Sequence, residues 1–452
     1  MTGAWGHPMG EVLLWALLGA VVASFMALIP ALHIYNVAGL LLYAVSSGRV
    51  ALEAEALAFL LLGMITGYAM VNTIPSIFFA APDESMLFVV LPGQSYLMQQ
   101  RGYEAVVLVG LGGLGGLAVL AAMTPVATRV IPAIRAILSP HLGWLLWAII
   151  AYLLVSEWPK GSGQIPAHGH LPPPWRRWWD GWRSLVAGLV TFLLSGLLGF
   201  ILLYRSPLPV DMAYQHLLPA FVGLFAVPWV ILNLLARTTL PPQHIGSSVE
   251  VSWFHVVQGI ASGAAGGLFA AFFPVVTGGV GGLLAGHATA QRDQRVFLIA
   301  QGAAKTVYYV GGLLLFFVPG LHLVRGGMAW MISTQYTAYT LDHYLLATAA
   351  ALLAGVSAFL LSLGFARAVA ALCARVGYRA ISWATLALLI LVVLAVTGPV
   401  GLAICAVATG TGLIPALWGA RRLNAMGLLL LPLALNIAGA GDAVAAFLGL
   451  LE

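Results

Sequence analysis

Charged residues are scarce along this chain. Only 7% of its 452 residues are charged, whereas 61% are hydrophobic. Soluble globular domains carry about 25% charged residues, so the composition excludes an ordinary water-soluble domain. Long apolar runs recur along the chain, and most of them are long enough to cross a bilayer as a helix. The sequence therefore predicts an all-α polytopic membrane protein with about a dozen membrane segments.

Cysteine and recognisable catalytic motifs are also nearly absent. The two cysteines, Cys373 and Cys405, both lie in apolar runs, which excludes a disulfide framework and a cysteine-based metal site. There is no Walker A motif, so the chain itself is not an ATPase, and no HExxH, GxSxG or strand-turn-helix GxGxxG occurs. The net charge of +5 comes mostly from arginines in short loops, which fits membrane topology better than nucleic-acid binding. We therefore expect neither an enzyme nor a resident cofactor, and the lipid bilayer rather than nucleic acid as surroundings.

A polar break interrupts the first apolar stretch. Residues 19–36 begin as an apolar helix, which Pro30 cuts, and His33, Tyr35 and Asn36 follow before another apolar run. A break frees backbone N–H and C=O groups for which lipid offers no partner, so it survives only inside protein or beside a wet cavity. Transporters place substrate and ion sites at such breaks. We therefore expect this break to line a binding site.

The same pattern recurs in the second half of the chain. Aligning Gly19 with Gly263 also aligns Pro30 with Pro274, and both segments continue past the proline with small or polar residues. Each half then continues into a long helix with polar residues near its centre. Two interrupted segments in corresponding places are the sequence signature of transporter repeats. We predict two repeats in inverted orientation, each with a helix broken at Pro and Gly.

The predicted repeats divide the chain into four parts. These are an N-terminal repeat half (residues 1–155), an aqueous or interfacial connecting loop (156–183), linking spans (184–250) and a C-terminal repeat half (251–452). The connecting loop is recognised by its proline run and by its clustered Trp and Arg side chains. Because Trp and basic residues favour the membrane interface, an interfacial anchor explains that cluster better than a ligand site does.

Lys305 is the most informative single residue, because apolar sequence flanks it on both sides. A lysine at the centre of a membrane helix costs about 2.5–3.5 kcal/mol on insertion scales, and this one lies too deep to snorkel easily. We expect it to bind an anionic substrate or to stand in for a coupling cation. Asp442 is the other intramembrane charge, with either a direct role or a structural pairing. Asp83 and Glu84 are adjacent and would point apart on any regular element, so they make no convincing carboxylate pair.

The predicted substrate site lies between the two broken segments, near the bilayer midplane. Free N–H groups at the N-terminus of a half-helix attract carboxylate or phosphate, and glycines there allow close approach, although plain helix packing explains glycines equally well. A histidine at such a break is either a ligand or a hydrogen-bonded structural group. The predicted site residues are Pro30, His33, Tyr35, Asn36, Asn72, Thr73, Ser76, Pro274, Thr277, Gly278, Gly279, Lys305 and Thr306.

Three stretches carry a resemblance to a known family. They begin at Leu28, Thr73 and His287, and they read LIPALHIYNVAGLL, TIPSIFFAAPDESMLFVVLPGQSYLMQQRGYEAV and HATAQRDQRVFLIAQGAAKT. In these stretches the chain resembles the large membrane subunit of tripartite tricarboxylate transporters (TctA-like), in the shorter branch of prokaryotic and archaeal members. Two positions depart from the pattern. Ala31 stands where the family usually has Gly, and Lys305 stands where the branch tends to have Asn, which puts a charge in the expected cavity.

The resemblance implies a role in carboxylate uptake. It implies that tricarboxylates or similar anions enter across the prokaryotic inner membrane, driven by an ion gradient of Na⁺ or H⁺. It also implies two partners, a small membrane subunit and a periplasmic binding protein, although the short branch need not depend on either.

Different functions remain compatible with these features. The leading interpretation is a secondary active transporter of organic anions that works by alternating access around the midplane site. The alternative is a translocase for polyprenyl phosphate, because paired breaks and a buried cation would serve a phosphate headgroup equally well. A lateral, lipid-facing opening would favour that alternative. A membrane enzyme acting on lipid-linked substrates is a third class, and the scattered histidines and carboxylates argue against it.

Overall fold

A computed structural model describes most of the chain as helices. It covers residues 9–30, 32–158, 173–209, 215–236, 239–246, 248–273, 276–289, 291, 293–337 and 340–451. No strand occurs within these ranges, which confirms the predicted all-α class. The α-helices are α1 (Met9–Met26), α2 (Ile34–Ser46), α3 (Ala54–Val71), α4 (Thr73–Phe78), α5 (Val90–Met98), α6 (Gly102–Leu138), α7 (Leu142–Val155), α8 (Pro174–Tyr204), α9 (Leu218–Phe221), α10 (Val227–Ala236), α11 (Trp253–Phe272), α12 (Gly278–Ala288), α13 (Gln294–Thr306), α14 (Gly312–Phe317), α15 (Gly326–Ser333), α16 (Leu341–Arg375), α17 (Tyr378–Trp418), α18 (Gly427–Ile437) and α19 (Gly441–Phe447).

The prediction of a multi-pass membrane protein is confirmed. Within the described residues, nine helical runs are long and apolar enough to cross a membrane, and the pair around α18 and α19, bent by 116°, would add a tenth. Two runs are long enough for two crossings, with 54 residues in Gly102–Val155 and 41 in Tyr378–Trp418. At 1.5 Å per residue they extend about 80 and 60 Å, against a hydrocarbon core of about 30 Å. Each run can therefore hold two of the expected segments, which accounts for the higher estimate of about a dozen.

The helices form two compact units. The first comprises residues 1–136 and 229–389, and the second comprises residues 137–228 and 390–452. The first unit contains the described parts of both broken segments and the helices that pair with them. In the second unit α18 packs against α7 and α8. The four-part division of the sequence into repeat halves, connecting loop and linking spans stays a prediction.

Each broken segment is a helix, a short break and a second, shorter helix. The first runs from α1 to α2, and His33 caps α2 with extended backbone while its Nδ1 accepts the N–H of Tyr35 at 3.2 Å. The second runs from α11 to α12, which is capped by the Thr277 hydroxyl as acceptor from the N–H of Val280 at 3.4 Å. Pro30 lies in the first break, while Pro274 is outside the described residues. The inverted orientation of the two sets stays a prediction.

Glycines bring the paired helices into backbone contact. A Cβ on Gly63 of α3 would overlap the carbonyl oxygen of Ala16 on α1, and one on Gly19 would overlap that of Leu60. The pair α11 and α13 meets in the same way, since a Cβ on Gly263 would overlap a carbonyl of α13. Such small-residue contacts replace the hydrophobic driving force that helices lack in lipid. The pairs therefore form the framework that positions the residues at the breaks.

Replacing Gly63 with Ala should destabilise the protein by about 1–3 kcal/mol, because the added methyl group meets rigid backbone. The measurement is thermal unfolding of the detergent-purified variant. Gly364→Ala in α16 is the matched control, since a Cβ there meets nothing within 4 Å. The control should be neutral or stabilise by up to about 1 kcal/mol. Equal melting temperatures for the two variants would contradict the backbone contact.

Candidate substrate and ion site

The turn that follows α4 places the carboxylates of Asp83 and Glu84 in the interior of the first unit. The ligand atoms of His33, Asp83 and Glu84 all lie within 4.8 Å of one another. The expectation that the adjacent acids point apart is therefore wrong. It holds for a regular helix or strand, but residues 79–89 form a bend, a stretch without regular structure and then turns. Glu84 is only 8% exposed, so this turn is part of the core and not a surface loop.

Asp83 is surrounded by hydrogen-bond donors on both carboxylate oxygens. Three donors from the turn itself bind Oδ1 at 2.7–3.0 Å, and three side chains from the helices bind Oδ2 at 2.6–3.2 Å. An ionised carboxylate has about four lone-pair sites, so this donor set suits the charged form. The donors are the N–H groups of Ser85 and Met86, the Ser85 hydroxyl, the Asn72 amide and the hydroxyls of Tyr68 and Tyr309.

Lys305 on α13 is linked to Asp83 through one amide. Its Nζ donates to Asn72 Oδ1 at 2.6 Å and to Thr73 Oγ1 at 2.7 Å, and the residue is 1% exposed. Because Oδ1 of Asn72 accepts from the ammonium group, its Nδ2 is free to donate to Asp83 at 2.6 Å. The buried cation therefore has a carboxylate counter-charge one side chain away. Its predicted roles, as a substrate ligand or a substitute for a coupling cation, stay predictions.

His33 and Tyr309 converge on Glu84. Since Nδ1 of His33 accepts the Tyr35 N–H, the neutral ring carries its hydrogen on Nε2. Nε2 lies 3.3 Å from Glu84 Oε1 and 3.0 Å from the Tyr309 hydroxyl, which is itself 3.3 Å from Glu84 Oε1. The one hydroxyl hydrogen of Tyr309 can serve Asp83 or Glu84 but not both at once, so the two carboxylates compete for this donor.

The cluster holds more acids than permanent cations. When both acids are ionised, Lys305 is charged and His33 is neutral, one negative charge is left over; a proton on His33 would cancel it. A net charge of one unit is costly to bury unless a counter-ion or a proton accompanies it. The carboxylate and hydroxyl oxygens present here are the ligands that a hard cation prefers. The cluster is therefore suited to hold a proton or a cation such as Na⁺.

The second broken segment closes over the same turn. The Thr277 hydroxyl donates to the backbone oxygen of Glu84 at 3.4 Å, and a Cβ on Gly279 would lie 2.8 Å from the carbonyl oxygen of Ser85. A Cβ on Gly278 would lie 2.8 Å from the Cα of the lysine on α13. The two glycines therefore allow close packing of α12 against the turn and α13.

The structure brings most, but not all, of the predicted site residues together. The Tyr35 ring lies 4.4 Å from that of His33, between centroids. Ser76 instead donates to the backbone oxygen of Asn72, and Thr306 faces Gly113 of α6. Pro30 and Asn36 are buried beside the first break. The members that share the cluster or line it are His33, Tyr35, Asn72, Thr73, Thr277, Gly278, Gly279 and Lys305. Their role as substrate ligands stays a prediction.

Two tyrosines of the cluster were missed by the sequence interpretation. Tyr309 lies four residues after Lys305, and Tyr68 lies four residues before Asn72, so each shares a helix face with a residue that was singled out. This spacing was the signal that could have identified them. Tyr309 belongs to a π-helical stretch, Val307–Gly311, a distortion that is frequent at functional sites.

Asp293 orients the helix that carries the buried lysine. It caps α13 by accepting the N–H of Arg295 at 2.7 Å, and the Arg295 guanidinium binds its second oxygen at 2.7 Å. Hydrogen bonds from Arg295 lower the pKa of Asp293 to about 2, so it stays ionised at any physiological pH. This gives the Arg-Asp-x-Arg motif of the third stretch a structural role at the helix start.

Asp442 is not buried. It lies exposed at the start of α19 in the second unit, where the Tyr204 hydroxyl donates to its Oδ1 at 3.1 Å. A hydrogen bond of this kind fits a structural pairing.

Comparison with known families finds one whose model covers nearly the whole chain. The tripartite tricarboxylate transporter TctA family matches residues 13–427, a range that includes both breaks and the Asp83 turn. The chain belongs to this family. An uncharacterised protein of Methanocaldococcus jannaschii is 23% identical over 301 residues, which cover 64% of this TctA-family chain. The aligned part spans 65% of the length of that relative. No solved structure matches the chain.

Proposed function

We propose that this TctA-family protein is a secondary transporter subunit and not an enzyme, and that it takes up tri- or dicarboxylates by alternating access. The observation that carries the proposal is the position of Glu84 between the two breaks. His33 of the first break lies 3.3 Å from its carboxylate, and Thr277 of the second donates to its backbone oxygen at 3.4 Å. Paired breaks that meet at one polar site are what alternating-access transporters use.

The charge of the cluster supports coupling to a cation gradient. We propose that Na⁺ or H⁺ binds at Glu84 beside His33 and neutralises the net negative charge. A cation bound there also reduces the repulsion that an incoming carboxylate anion meets. Substrate and cation would then enter the same part of the protein together, which is the requirement for symport.

The proposal includes the setting that the family name implies. We propose the prokaryotic inner membrane as the location, with a small membrane subunit and a periplasmic substrate-binding protein as partners. The family description names tripartite tricarboxylate transporters. Multiple apolar helices support an integral position in the bilayer.

Uptake by reconstituted vesicles tests this function. Purified protein in liposomes should accumulate labelled citrate or malate above the equilibrium ratio under an inward Na⁺ or H⁺ gradient. An ionophore that dissipates that gradient should abolish the accumulation, because the cation supplies the driving force. Uptake of the labelled anion that does not depend on either gradient would contradict the proposal. The proposal would also be contradicted if the purified protein bound no carboxylate but translocated a short-chain polyprenyl phosphate.

A further inference from the structure

Arg325 is a part-buried cation whose charge has no carboxylate partner among the described residues. Its Nε donates to the carbonyl oxygen of Ala271 at 3.2 Å, in the last turn of α11. A guanidinium carries five N–H donors in a rigid fork, so this bond leaves both terminal amino groups available. An arginine kept in the interior of a membrane protein is costly, and such residues mark substrate or ion paths.

Two other part-buried arginines of the first unit are paired with acids. Arg101 binds both carboxylate oxygens of Glu104 at 2.6 and 2.7 Å, and Arg295 binds both oxygens of Asp293 at 2.7 and 3.1 Å. In both cases the fork meets a planar carboxylate in two parallel bonds, the strongest arrangement available to arginine. Arg325 has the same fork, but within the described residues no carboxylate pairs with it, and its one printed bond is to a backbone oxygen. A carboxylate from outside the chain would complete the same kind of pair.

Arg325 touches both broken segments through its own bond and through its neighbour in the chain. Its Nε donates to Ala271 at the end of α11, and a Cβ on Gly326 would lie 3.3 Å from the hydroxyl of Tyr35 at the start of α2. Arg325 thus lies where the start of α2 and the end of α11 meet.

The arrangement separates two kinds of ligand within one region. The acids beside His33 suit a cation, whereas the Arg325 guanidinium suits an anion. The Tyr35 ring neighbours both places, because it lies 4.4 Å from the His33 ring, between centroids, and beside the backbone of Gly326 and Gly327.

We propose that Arg325 binds a carboxylate group of the transported anion in a bidentate pair, beside Tyr35 at the start of α2. This assignment rests on the proposed function, because it names the residue that recognises the substrate of that function. It also makes Arg325 the determinant of anion selectivity, since a planar fork matches a carboxylate better than a point charge does.

Direct binding tests the assignment. Calorimetry on the purified full chain would compare citrate, malate and acetate with wild type, Arg325→Gln, Arg325→Lys and the control Arg129→Gln, whose arginine is exposed on α6. Arg325→Gln should weaken citrate binding by about 30-fold or more, because it removes one partner of a sheltered charge pair. Arg325→Lys should bind with intermediate affinity, since it keeps the charge but loses the fork. Arg129→Gln should bind like wild type.

A second measurement on the wild type avoids any folding defect of the variants. Phenylglyoxal modifies accessible guanidinium groups, and peptide mass spectrometry would follow its addition to Arg325 and Arg129. Citrate should protect Arg325 and leave Arg129 unprotected. Wild-type binding of citrate with no protection of Arg325 and no loss in Arg325→Gln would overturn this assignment alone. Failure of the wild type to bind any of these carboxylates would overturn the proposed function as well.

Discussion

Replacing Lys305 with Met is expected to destabilise the protein by about 3–5 kcal/mol, because it leaves buried acids without their counter-charge. It also removes the donor to Asn72 Oδ1 and Thr73 Oγ1, which are bound at 2.6 and 2.7 Å. Thermal unfolding in detergent measures the loss. Citrate uptake should disappear in the same variant, since the Asn72 amide is no longer held in the orientation that binds Asp83.

The linkage through Asn72 makes a double-mutant test possible. Asp83→Asn alone should also be strongly destabilising. The double variant Asp83→Asn with Lys305→Met should lose less unfolding free energy than the two single variants together, by about 1–3 kcal/mol. Asp442→Asn serves as the control partner for Lys305→Met, because Asp442 is exposed in the second unit and held by Tyr204. That control pair should be additive within about 0.5 kcal/mol. Additivity of the Lys305 and Asp83 changes would rule out the linkage.

Glu84→Gln is expected to abolish gradient-driven accumulation and to leave carboxylate binding intact. The neutral amide keeps the size of the side chain and can still accept a hydrogen bond from His33, but it no longer attracts a cation. Vesicle uptake with and without the gradient, beside calorimetry with citrate, separates the two effects. The expected result is equilibration of the labelled anion instead of accumulation.

The control for this change is again an acid that the sequence placed in the membrane. Asp442→Asn removes the same charge from a position outside the cluster and should leave accumulation unchanged. If Glu84→Gln still accumulated citrate against its gradient, Glu84 would not carry the coupling cation. A loss of citrate binding in the same variant would instead make Glu84 part of the anion site.

The breaks and the buried lysine were predictable because each violates a strong rule of the bilayer. Pro30 has no backbone N–H and cannot continue the hydrogen bonds of α1. The polar residues after it need hydrogen-bond partners that lipid does not provide. Lys305 is conspicuous for the same reason, as a charge in an apolar helix. A proline break or a charge in an apolar run can be identified from the local sequence without knowledge of the tertiary structure.

The acids and the tyrosines were harder to place because their meaning depends on tertiary structure. Asp83 and Glu84 face one cluster only through a turn that is contacted by α3, by α12 and by the π-helical stretch Val307–Gly311. Tyr309 looks like one more aromatic residue in an apolar helix until its hydroxyl is seen 3.2 Å from Asp83. Arg325 stands in a linker, and no local pattern marks it as a neighbour of both breaks. Pairings across more than two hundred residues are not encoded in any window of sequence.

The glycine contacts described above decide where this protein can bend. Helices that touch backbone to backbone cannot slide past each other, because a shift of one turn would push Leu or Ala side chains into carbonyl groups. We therefore expect each pair to move as a rigid unit. Gly63 forms the backbone contact in the pair α1–α3, and Gly263 forms it in the pair α11–α13. Bending is therefore expected beyond these contacts, past the ends of α1 at Met26 and α11 at Phe272. We expect a cation bound at the proposed site beside His33 to act directly on such a bend.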